Sequence, residues 1–233
     1  MLVEERTKQL QDSERLATIG QTAGAVGHDI RNPLQTITSE LFLLKSSLEA
    51  LPDSEEKRNA VESISYIEAQ AEYINNIITD LQDYAKKLEP RKTKLDISQN
   101  IPQIIDTVAI PENIQVNTSI QQNFPPLMLD PTYFRRIITN LVTNAIQAMP
   151  KGGKLTITAY TKNDKATITI QDTGIGIPEE MKQRMFQPLF TTRSRGHGFG
   201  LPVIKRLVEV QGGTITFESQ EGKGTIFTMQ FPL

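Results

Sequence analysis

The spacing of apolar residues changes at Glu89-Pro90-Arg91, from a purely helical pattern to a mixture of strand and helix patterns. Two stretches before this point carry apolar residues at alternating steps of three and four, which is the pattern of long helices that pack side by side. Beyond it, short alternating runs typical of strands are separated by helical segments. Because a proline removes an amide from a helix and clashes with its preceding turn, Pro90 ends the second helical stretch. The sequence therefore predicts two domains, residues 1–90 and residues 91–233.

The first domain is predicted to be an α-helical hairpin. Its first helix extends from near the N-terminus to about Leu48, and its second follows the turn-like segment Leu51-Pro52-Asp53-Ser54. A lone hairpin buries only one stripe on each helix, so we expect a homodimer in which two hairpins form a four-helix bundle. The predicted stripes are Leu16, Ile19, Ala23, Val26, Ile30, Ile37, Leu41, Leu44 and Leu48, and then Ala60, Ile64, Ile67, Ala71, Ile74, Ile78, Leu81, Ala85 and Leu88.

The second domain is predicted to be an α/β two-layer sandwich with a mixed sheet. Asp130 is a helix N-cap followed by Pro131 at the first helical position, so a helix should run from there to about Met149. A second helix is predicted from Phe199 to Gln211, where Gly212-Gly213 ends it. The predicted strands are Ile114–Ile120, the hairpin Lys154–Tyr160 and Lys165–Gln171, and then Thr214–Glu218 and Thr225–Phe231.

Composition excludes several kinds of function. The formal net charge of −2 and the absence of a basic face argue against nucleic acid as a partner. With no cysteine and two histidines, the chain has no disulfide, no thiol chemistry and no Cys/His zinc site. No apolar run is long enough to span a bilayer and no signal peptide is visible, so we expect this chain to be soluble and cytoplasmic.

Three polar segments of the second domain together suggest a nucleotide site. Asn140 and Asn144 lie four residues apart, hence on one face of the predicted helix. An asparagine oxygen together with phosphate oxygens suits Mg²⁺, which prefers oxygen ligands. Asp172 opens Asp172-Thr173-Gly174-Ile175-Gly176, and its carboxylate can accept a hydrogen bond from the amine of a base. In Gly196-His197-Gly198-Phe199-Gly200-Leu201, glycines let backbone amides approach phosphates.

In this order the three segments resemble the ATP-binding domain shared by sensor histidine kinases, type II topoisomerases, Hsp90 chaperones and MutL-type mismatch-repair ATPases. The resemblance implies ATP as ligand, Mg²⁺ held by Asn144, and adenine recognition by Asp172. Where the topoisomerases and chaperones have a glutamate that activates water, this chain has Asn140. An amide is no general base near neutral pH, so ATP should be spared from hydrolysis.

His28 is the candidate nucleophile of the first domain. It lies two residues from both Val26 and Ile30 and so faces away from the apolar stripe, which predicts an exposed imidazole. A neutral imidazole offers the lone pair that attack on a phosphorus needs, and Asp29 can orient the ring and take its proton. Taken alone, the pair is more typical of a solvated surface histidine beside a solvated aspartate.

The wider segment His28-Asp29-Ile30-Arg31-Asn32-Pro33-Leu34 closely resembles the phospho-acceptor box of sensor histidine kinases, and the likeness extends over nearly the whole chain. It implies autophosphorylation of His28 by ATP and transfer of the phosphoryl group to an aspartate of a response regulator receiver domain. The run from Asp29 to Asn32 also resembles the family's phosphatase motif, in which the amide holds a water. We further expect a sensor domain upstream of this chain, and the sequence leaves open whether the parent protein is anchored in a membrane.

The same resemblance implies the remaining contacts to ATP. The segment Phe186-Gln187-Pro188-Leu189-Phe190-Thr191-Thr192-Arg193 is similar to the family's F box, and Gly222-Lys223-Gly224-Thr225 is similar to its last glycine box. Asn140 is expected to act both in catalysis and in ATP binding. The implied nucleotide-binding set is Asn140, Asn144, Asp172, Gly174, Gly176, Thr191, Thr192, Arg193, Gly196, Gly198, Gly200, Leu201 and Thr225.

Three other functions stay open on sequence grounds. The first is a conformational ATPase of the topoisomerase or chaperone type, against which Asn140 and the helical segment with His28 both argue. The second is a dimeric scaffold with a degenerate nucleotide site, which the intact Asn144, Asp172 and glycines oppose. The third is a serine/threonine kinase on the same fold, whose product would be acid-stable, whereas phosphohistidine is acid-labile.

Overall fold

The computed structural model describes residues 2–85, 88–188, 190 and 198–233, with side chains for residues 26–79, 81–82, 88–188, 190 and 198–233. The described residues form two compact units, one helical and one α/β. Each unit follows the class of structure that its periodicity predicts.

The helical unit is a hairpin of helix α1 (Leu2–Glu49) and helix α2 (Glu55–Ala85). The turn between them is closed at both ends. The amide of Leu51 donates to the carbonyl of Leu48 over 3.1 Å, and the hydroxyl of Ser54 accepts from the amide of Lys57 over 3.2 Å. Acidic Glu55 and Glu56 occupy the first turn of α2, where the partial positive charge of a helix start favours them.

The predicted apolar stripes divide into two lines in the hairpin. One line packs between α1 and α2 and consists of Leu34, Leu41, Ile64, Ala71 and Ile78, all buried and spaced by seven within each helix. The other line stays exposed. It includes Val26, Ile30, Ile37 and Leu44 on α1, and Ile67 and Ile74 on α2. The single stripe predicted for α1 is thus wrong in detail: it omits the buried Leu34 and merges two lines, because a heptad has two apolar positions that can face different neighbours.

The α/β unit is built on a five-stranded sheet of order β2-β4-β5-β7-β6. Strand β2 pairs parallel with β4, and every other pair is antiparallel, so the sheet is mixed as predicted. A separate two-stranded sheet pairs β1 with β3. The strands are β1 (Thr93–Leu95), β2 (Ile114–Ile120), β3 (Leu127–Leu129), β4 (Gly153–Lys162), β5 (Lys165–Asp172), β6 (Thr214–Gln220) and β7 (Gly224–Pro232).

Helices cover the sheet and complete the core of the α/β unit. They are α3 (Ile97–Ile105), α4 (Pro131–Ala148), the short α5 (Glu179–Lys182) and α6 (Gly200–Val210). Helices α4 and α6 contact the sheet and each other, and α3 packs on α4. Strand β5 contributes the buried Ala166, Ile168 and Ile170, which alternate along the strand toward one face. Helix α4 and the strand hairpin β4–β5 match their predicted positions.

A buried polar clamp fixes the segment after Pro90 to the α/β unit. Asp130 caps α4, as predicted, and accepts at Oδ1 from the amides of Thr132 (2.9 Å) and Tyr133 (3.1 Å). Its Oδ2 accepts from the amide of Arg91 over 2.7 Å. Gln211, at the end of α6, accepts from the amide of Asp130 through Oε1 over 2.7 Å. The Lys92 ammonium donates to the carbonyl of Gln211 over 2.7 Å, so two helix ends hold the first residues that follow the linker.

Within the part of the chain that the structure describes, no helix combines the length and the apolar character needed to cross a membrane.

The exposed line predicts that a second copy of the hairpin covers it. Replacing Ile37, whose surface is 44% exposed, by glutamate places a charge where the second copy should pack, and we expect the variant to sediment as a monomer. Leu43→Glu is the matched control, because Leu43 is 57% exposed but lies outside the exposed line of α1. Analytical ultracentrifugation at micromolar concentration checks both variants. Dissociation by Leu43→Glu and not by Ile37→Glu would assign the dimer contact to the other face.

Candidate functional site

Two of the predicted nucleotide segments, the asparagines of α4 and the loop that begins at Asp172, lie near the C-terminal end of α4. Asn140 and Asn144 both lie on the second half of this helix and are half-buried. Ala148 follows Asn144 by one turn, and its carbonyl accepts a hydrogen bond of 3.0 Å from the amide of Ile175. This bond holds the loop after β5 against the end of α4. The asparagines and the loop that begins at Asp172 therefore belong to one side of the α/β unit.

Asp172 is held in a fixed orientation at the end of β5. Its side chain is only 4% exposed, and Oδ1 accepts from the amide of Gly174 over 2.8 Å and from the amide of Thr225 over 3.3 Å. Thr225 is also buried and lies directly opposite Asp172 in the β5–β7 pairing. Two backbone amides thus set the direction of the carboxylate before any ligand binds.

Three glycines allow this loop to approach neighbouring backbone at distances that no other residue tolerates. A Cβ on Gly174 would lie 2.4 Å from the carbonyl oxygen of Ala148. At Gly176, where φ is +69°, it would lie 2.1 Å from the carbonyl oxygen of Gln220. At Gly224, where φ is +102°, it would lie 2.0 Å from the carbonyl oxygen of Asp172. The glycines of this region consequently have a packing reason in addition to the ligand contact that the sequence predicts for Gly174 and Gly176.

Ser219 joins the same region, and sequence analysis missed it. Its hydroxyl oxygen accepts from the amide of Ile177 over 2.9 Å and donates to the carbonyl of Gly224 over 2.9 Å. It also lies 2.9 Å from the hydroxyl of Thr225. One serine thus ties β6, β7 and the loop after Asp172 together. A serine within a polar strand end carries no pattern that would single it out.

The glycine-rich segment is described only from Gly198 onward. Gly198 has a φ of 70°, in the left-handed region, and Gly200 is the first residue of α6, followed by Leu201. The predicted residues Thr191, Thr192, Arg193 and Gly196 lie outside the described residues. Just before them, the ring of Phe186 makes an edge contact with Phe217 at 5.7 Å between centroids, which attaches this part of the chain to β6.

On the helical unit, His28 is exposed as predicted, and its neighbours on α1 surround one ring nitrogen. The side chains of His28 and Asp29 are 75% and 81% exposed. The amide nitrogen of Asn32 lies 3.3 Å from Nδ1 of His28, whereas Oδ1 of Asp29 lies 3.9 Å from the same nitrogen, beyond a hydrogen bond. Both contacts involve Nδ1, so the distal Nε2 is the ring nitrogen that remains for a reaction partner.

The helix beneath His28 is anchored to α2. The guanidinium of Arg31 donates to the side-chain oxygens of Gln82 (3.0 Å) and Asn75 (3.3 Å). A Cβ on Gly27 would lie 2.3 Å from Nε2 of Gln82 and 2.8 Å from a methyl carbon of Ile78, so the glycine permits close packing of the two helices next to His28. Arg31 therefore faces the second helix, while His28 and Asn32 point to solvent.

The side chains near this site suit a metal ion that takes most of its ligands from the nucleotide and from water. No cluster of three or more histidine, cysteine, aspartate or glutamate side chains exists among the described residues. Asn144 offers one amide oxygen on a half-buried helix face. A hard ion such as Mg²⁺ fits this arrangement when phosphate oxygens and water supply the rest of its coordination.

Comparison with known domain families gives two matches. Residues 18–90 match the His Kinase A (phospho-acceptor) domain, and residues 129–233 match the histidine kinase-, DNA gyrase B-, and HSP90-like ATPase. The first range contains His28 and Asn32, and the second contains the asparagines of α4, Asp172 and the glycines around it.

Individual proteins resemble the chain over nearly its full length. Sporulation kinase E of Bacillus subtilis (strain 168) is 30% identical over 98% of this chain and 30% of its own length. Sensor histidine kinase ZraS of Escherichia coli (strain K12) is 31% identical over 97% of this chain and 48% of its own length. The chain thus spans less than half of either relative. The solved complex of histidine kinase ThkA with response regulator protein TrrA aligns over 100% of this chain and 67% of the ThkA chain, with a TM-score of 0.65 at 24% identity, which is a likeness of fold.

Proposed function

The chain belongs to the sensor histidine kinases of two-component systems, and we propose that it transfers the γ-phosphoryl group of ATP to His28 and then to an aspartate of a response regulator. One observation carries the proposal. The imidazole of His28 is exposed on the hairpin, and both contacts that it makes with its own helix are at Nδ1. Residues 1–90 are then the dimerisation and phosphotransfer domain, and residues 91–233 the catalytic ATP-binding domain. The clamp on Arg91 and Lys92 supports a boundary just before them.

The first step is an attack by the lone pair of Nε2 on the γ-phosphorus. A nitrogen–phosphorus bond forms, and the bond from phosphorus to the bridging oxygen breaks, with its electron pair leaving on ADP. The ring then carries a positive charge. It becomes neutral when the proton on Nδ1 passes to the carboxylate of Asp29 or to water. In the second step a carboxylate oxygen of the regulator's aspartate bonds to the phosphorus, and the nitrogen–phosphorus bond breaks with its electron pair returning to Nε2. Nδ1 takes back a proton from Asp29 or from water, so that His28 regains its neutral form.

The residues around α4 and β5 divide the binding of ATP between them. Asp172, fixed by two backbone amides, accepts from the exocyclic amine of adenine. Asn144 would hold Mg²⁺, which would neutralise charge on the phosphates, and Asn140 lies one turn away on the same face of α4. Gly200 and Leu201, the first two residues of α6, present backbone amides to the phosphates, and the family's pattern gives Gly198 the same task. The family's pattern also assigns phosphate contacts to Thr191, Thr192, Arg193 and Gly196.

Water is a poor competitor for the γ-phosphoryl group at this site. Hydrolysis needs a group that removes a proton from water, and the side chain at position 140 is an amide without that capacity. Asn144 and Gln147, further along the same helix, are amides as well. The residue types on this helix therefore favour a kinase over a conformational ATPase built on the same fold.

A groove on the hairpin is the proposed contact for the response regulator. His28, Gln35 and Phe42 follow one another at intervals of seven on α1, so they form a line along one side of the helix. Phe42 and Leu43 are 68% and 57% exposed, and they border a groove between α1 and α2. The groove is lined by Arg31, Leu34, Gln35, Thr38, Ser39, Phe42, Leu43, Glu68, Ala71, Glu72 and Asn75. A receiver domain seated there would bring its aspartate toward His28.

Replacing His28 by glutamine should abolish labelling of the chain by γ-labelled ATP, because the acceptor nitrogen is lost. Binding of ATP should remain, because no ATP ligand is changed, and fluorescence titration with a nucleotide analogue checks this. In the unaltered chain the label should be lost in acid and kept in base. Acid-labile label that persists on the His28→Gln variant would overturn the assignment of the nucleophile.

Replacing Asp172 by asparagine should reduce the preference for ATP over GTP by about 1–3 kcal/mol, the scale of a mismatched polar group in a binding site. The amide that replaces the carboxylate can donate to the carbonyl of guanine as well as accept from adenine. Competition titrations with the two nucleotides measure the change. Because Asp172 also accepts from two backbone amides, circular dichroism must show that the variant is folded. An unchanged preference in a folded variant contradicts base recognition by Asp172.

We also expect the chain to dephosphorylate its regulator, with the amide of Asn32 holding the attacking water. Asn32→Ala should slow release of phosphate from the phosphorylated regulator while autophosphorylation is retained. Phe42→Ser separates docking from catalysis, because loss of the groove contact should slow phosphotransfer and dephosphorylation together. Rapid dephosphorylation by Asn32→Ala leaves Asn32 no role in that reaction.

A further inference from the structure

Three polar residues, Ser219, Thr225 and Asp172, form one row across three neighbouring strands. Ser219 lies opposite Thr225 in the pairing of β6 with β7, and Thr225 lies opposite Asp172 in the pairing of β7 with β5. Residues that lie opposite each other in antiparallel strands present their side chains to the same face of the sheet. Thr225 and Asp172 are both buried. The row therefore connects the carboxylate proposed to recognise adenine with two hydroxyl groups.

The hydrogen-bonding capacity of the Ser219 hydroxyl is fully used. A serine hydroxyl donates one hydrogen and accepts two. The backbone amide of Ile177 can only donate to it, and the backbone carbonyl of Gly224 can only accept from it, each over 2.9 Å. One lone pair of Ser219 then remains for the hydroxyl of Thr225, which lies at 2.9 Å. Donation from Thr225 to Ser219 is thus the one direction that satisfies all three contacts.

This bond decides what Thr225 can offer to a ligand. A threonine hydroxyl has a single hydrogen, and here that hydrogen is directed at Ser219, so the Thr225 oxygen turns only lone pairs to its other neighbours. The carboxylate of Asp172 also only accepts. An amino group at position 6 of a purine supplies hydrogens to such acceptors, whereas a carbonyl group at position 6 would meet oxygen with oxygen. An unsatisfied acceptor in a buried site weakens binding.

We propose that Ser219 is a positioning residue that determines base specificity: by accepting the hydrogen of Thr225, it keeps that hydroxyl an acceptor and favours 6-aminopurine over 6-oxopurine nucleotides. The inference rests on the proposed binding of ATP beside Asp172. Ser219 acts through Thr225 and through no contact of its own with the base. It should therefore change which nucleotide is bound, and the change should appear in dissociation constants.

The test compares ATP with inosine triphosphate (ITP), which has a carbonyl group in place of the 6-amino group and lacks the 2-amino group of GTP. Displacement of a fluorescent adenine nucleotide from the full chain gives both dissociation constants. In Ser219→Ala the hydrogen of Thr225 can turn toward the purine carbonyl. The ratio of the ITP to the ATP dissociation constant should then fall by about two- to tenfold, the effect of one hydrogen bond. A loop that was merely loosened would weaken both nucleotides and keep the ratio.

Three further variants separate this role from support of the fold. Ser219→Thr keeps a hydroxyl and should keep the ratio of the unaltered chain. Thr225→Val removes the hydroxyl that Ser219 orients, so Ser219→Ala should have no effect on the ratio when it is added to Thr225→Val. Thr216→Ala is the matched control, because Thr216 is an exposed hydroxyl residue on the same strand, and it should also leave the ratio unchanged.

Two results would overturn the inference. One is an unchanged ratio in a Ser219→Ala variant that circular dichroism shows to be folded, and the other is a fall in the ratio that persists in the Thr225→Val background. Ser219→Cys, which keeps the side-chain size but is a weak hydrogen-bonding group, serves the same comparison if Ser219→Ala does not fold. The measurement needs no phosphoryl transfer. An unaltered chain that binds ATP but takes up no label would therefore contradict the proposed kinase reaction alone.

Discussion

The α/β unit depends on the close approach of three backbone segments at the end of β5. The loop after Asp172 lies against the carbonyl of Ala148 on one side and against the turn between β6 and β7 on the other. Side chains cannot fill such contacts, since carbonyl oxygens already occupy the space that a Cβ would need. The same contacts place Asp172 beside Thr225 and near the end of α4, so the packing of this junction also positions the residue that we propose recognises the base. A change that opened this junction would affect stability and nucleotide binding together.

Much of this architecture can be predicted from the sequence, because it follows from the spacing of apolar residues and from strong local preferences such as helix capping. The long helices, the strand hairpin β4–β5 and the cap at Asp130 were all predicted at their observed positions. The short strands β1 and β3 were missed, since three residues are too few to establish a period. Helix α3 was missed as well: Pro102 within it argues against a helix, and the buried Ile97, Ile101 and Ile104 outweigh that cost through packing.

Sequence analysis could propose site residues whose side-chain type suggests a chemical role. It could not find residues that matter only through their contacts in the folded chain. Asn144, Asp172 and His28 stand out because the segments that hold them, taken together, resemble those of the sensor histidine kinases, and their roles stay predictions. Ser219 has no such mark, and its role depends on the amide of Ile177, which lies 42 residues away in sequence. The division of the apolar stripe into two lines was equally hidden. A heptad pattern shows that two of its seven positions are apolar. Which of the two faces the other helix of the hairpin depends on how the helices pack.

The exposed apolar line of the hairpin can make the stability of the hairpin depend on the concentration of the chain. If a second copy covers that line, each molecule acts as a stabilising ligand for the other, and the free energy of unfolding of the hairpin grows with the logarithm of concentration. The helix that carries His28 would then be best ordered when the chain is plentiful and would loosen on dilution. The same surface that brings two acceptor histidines into one bundle would thereby set a lower limit on the number of molecules needed for a working phosphorelay.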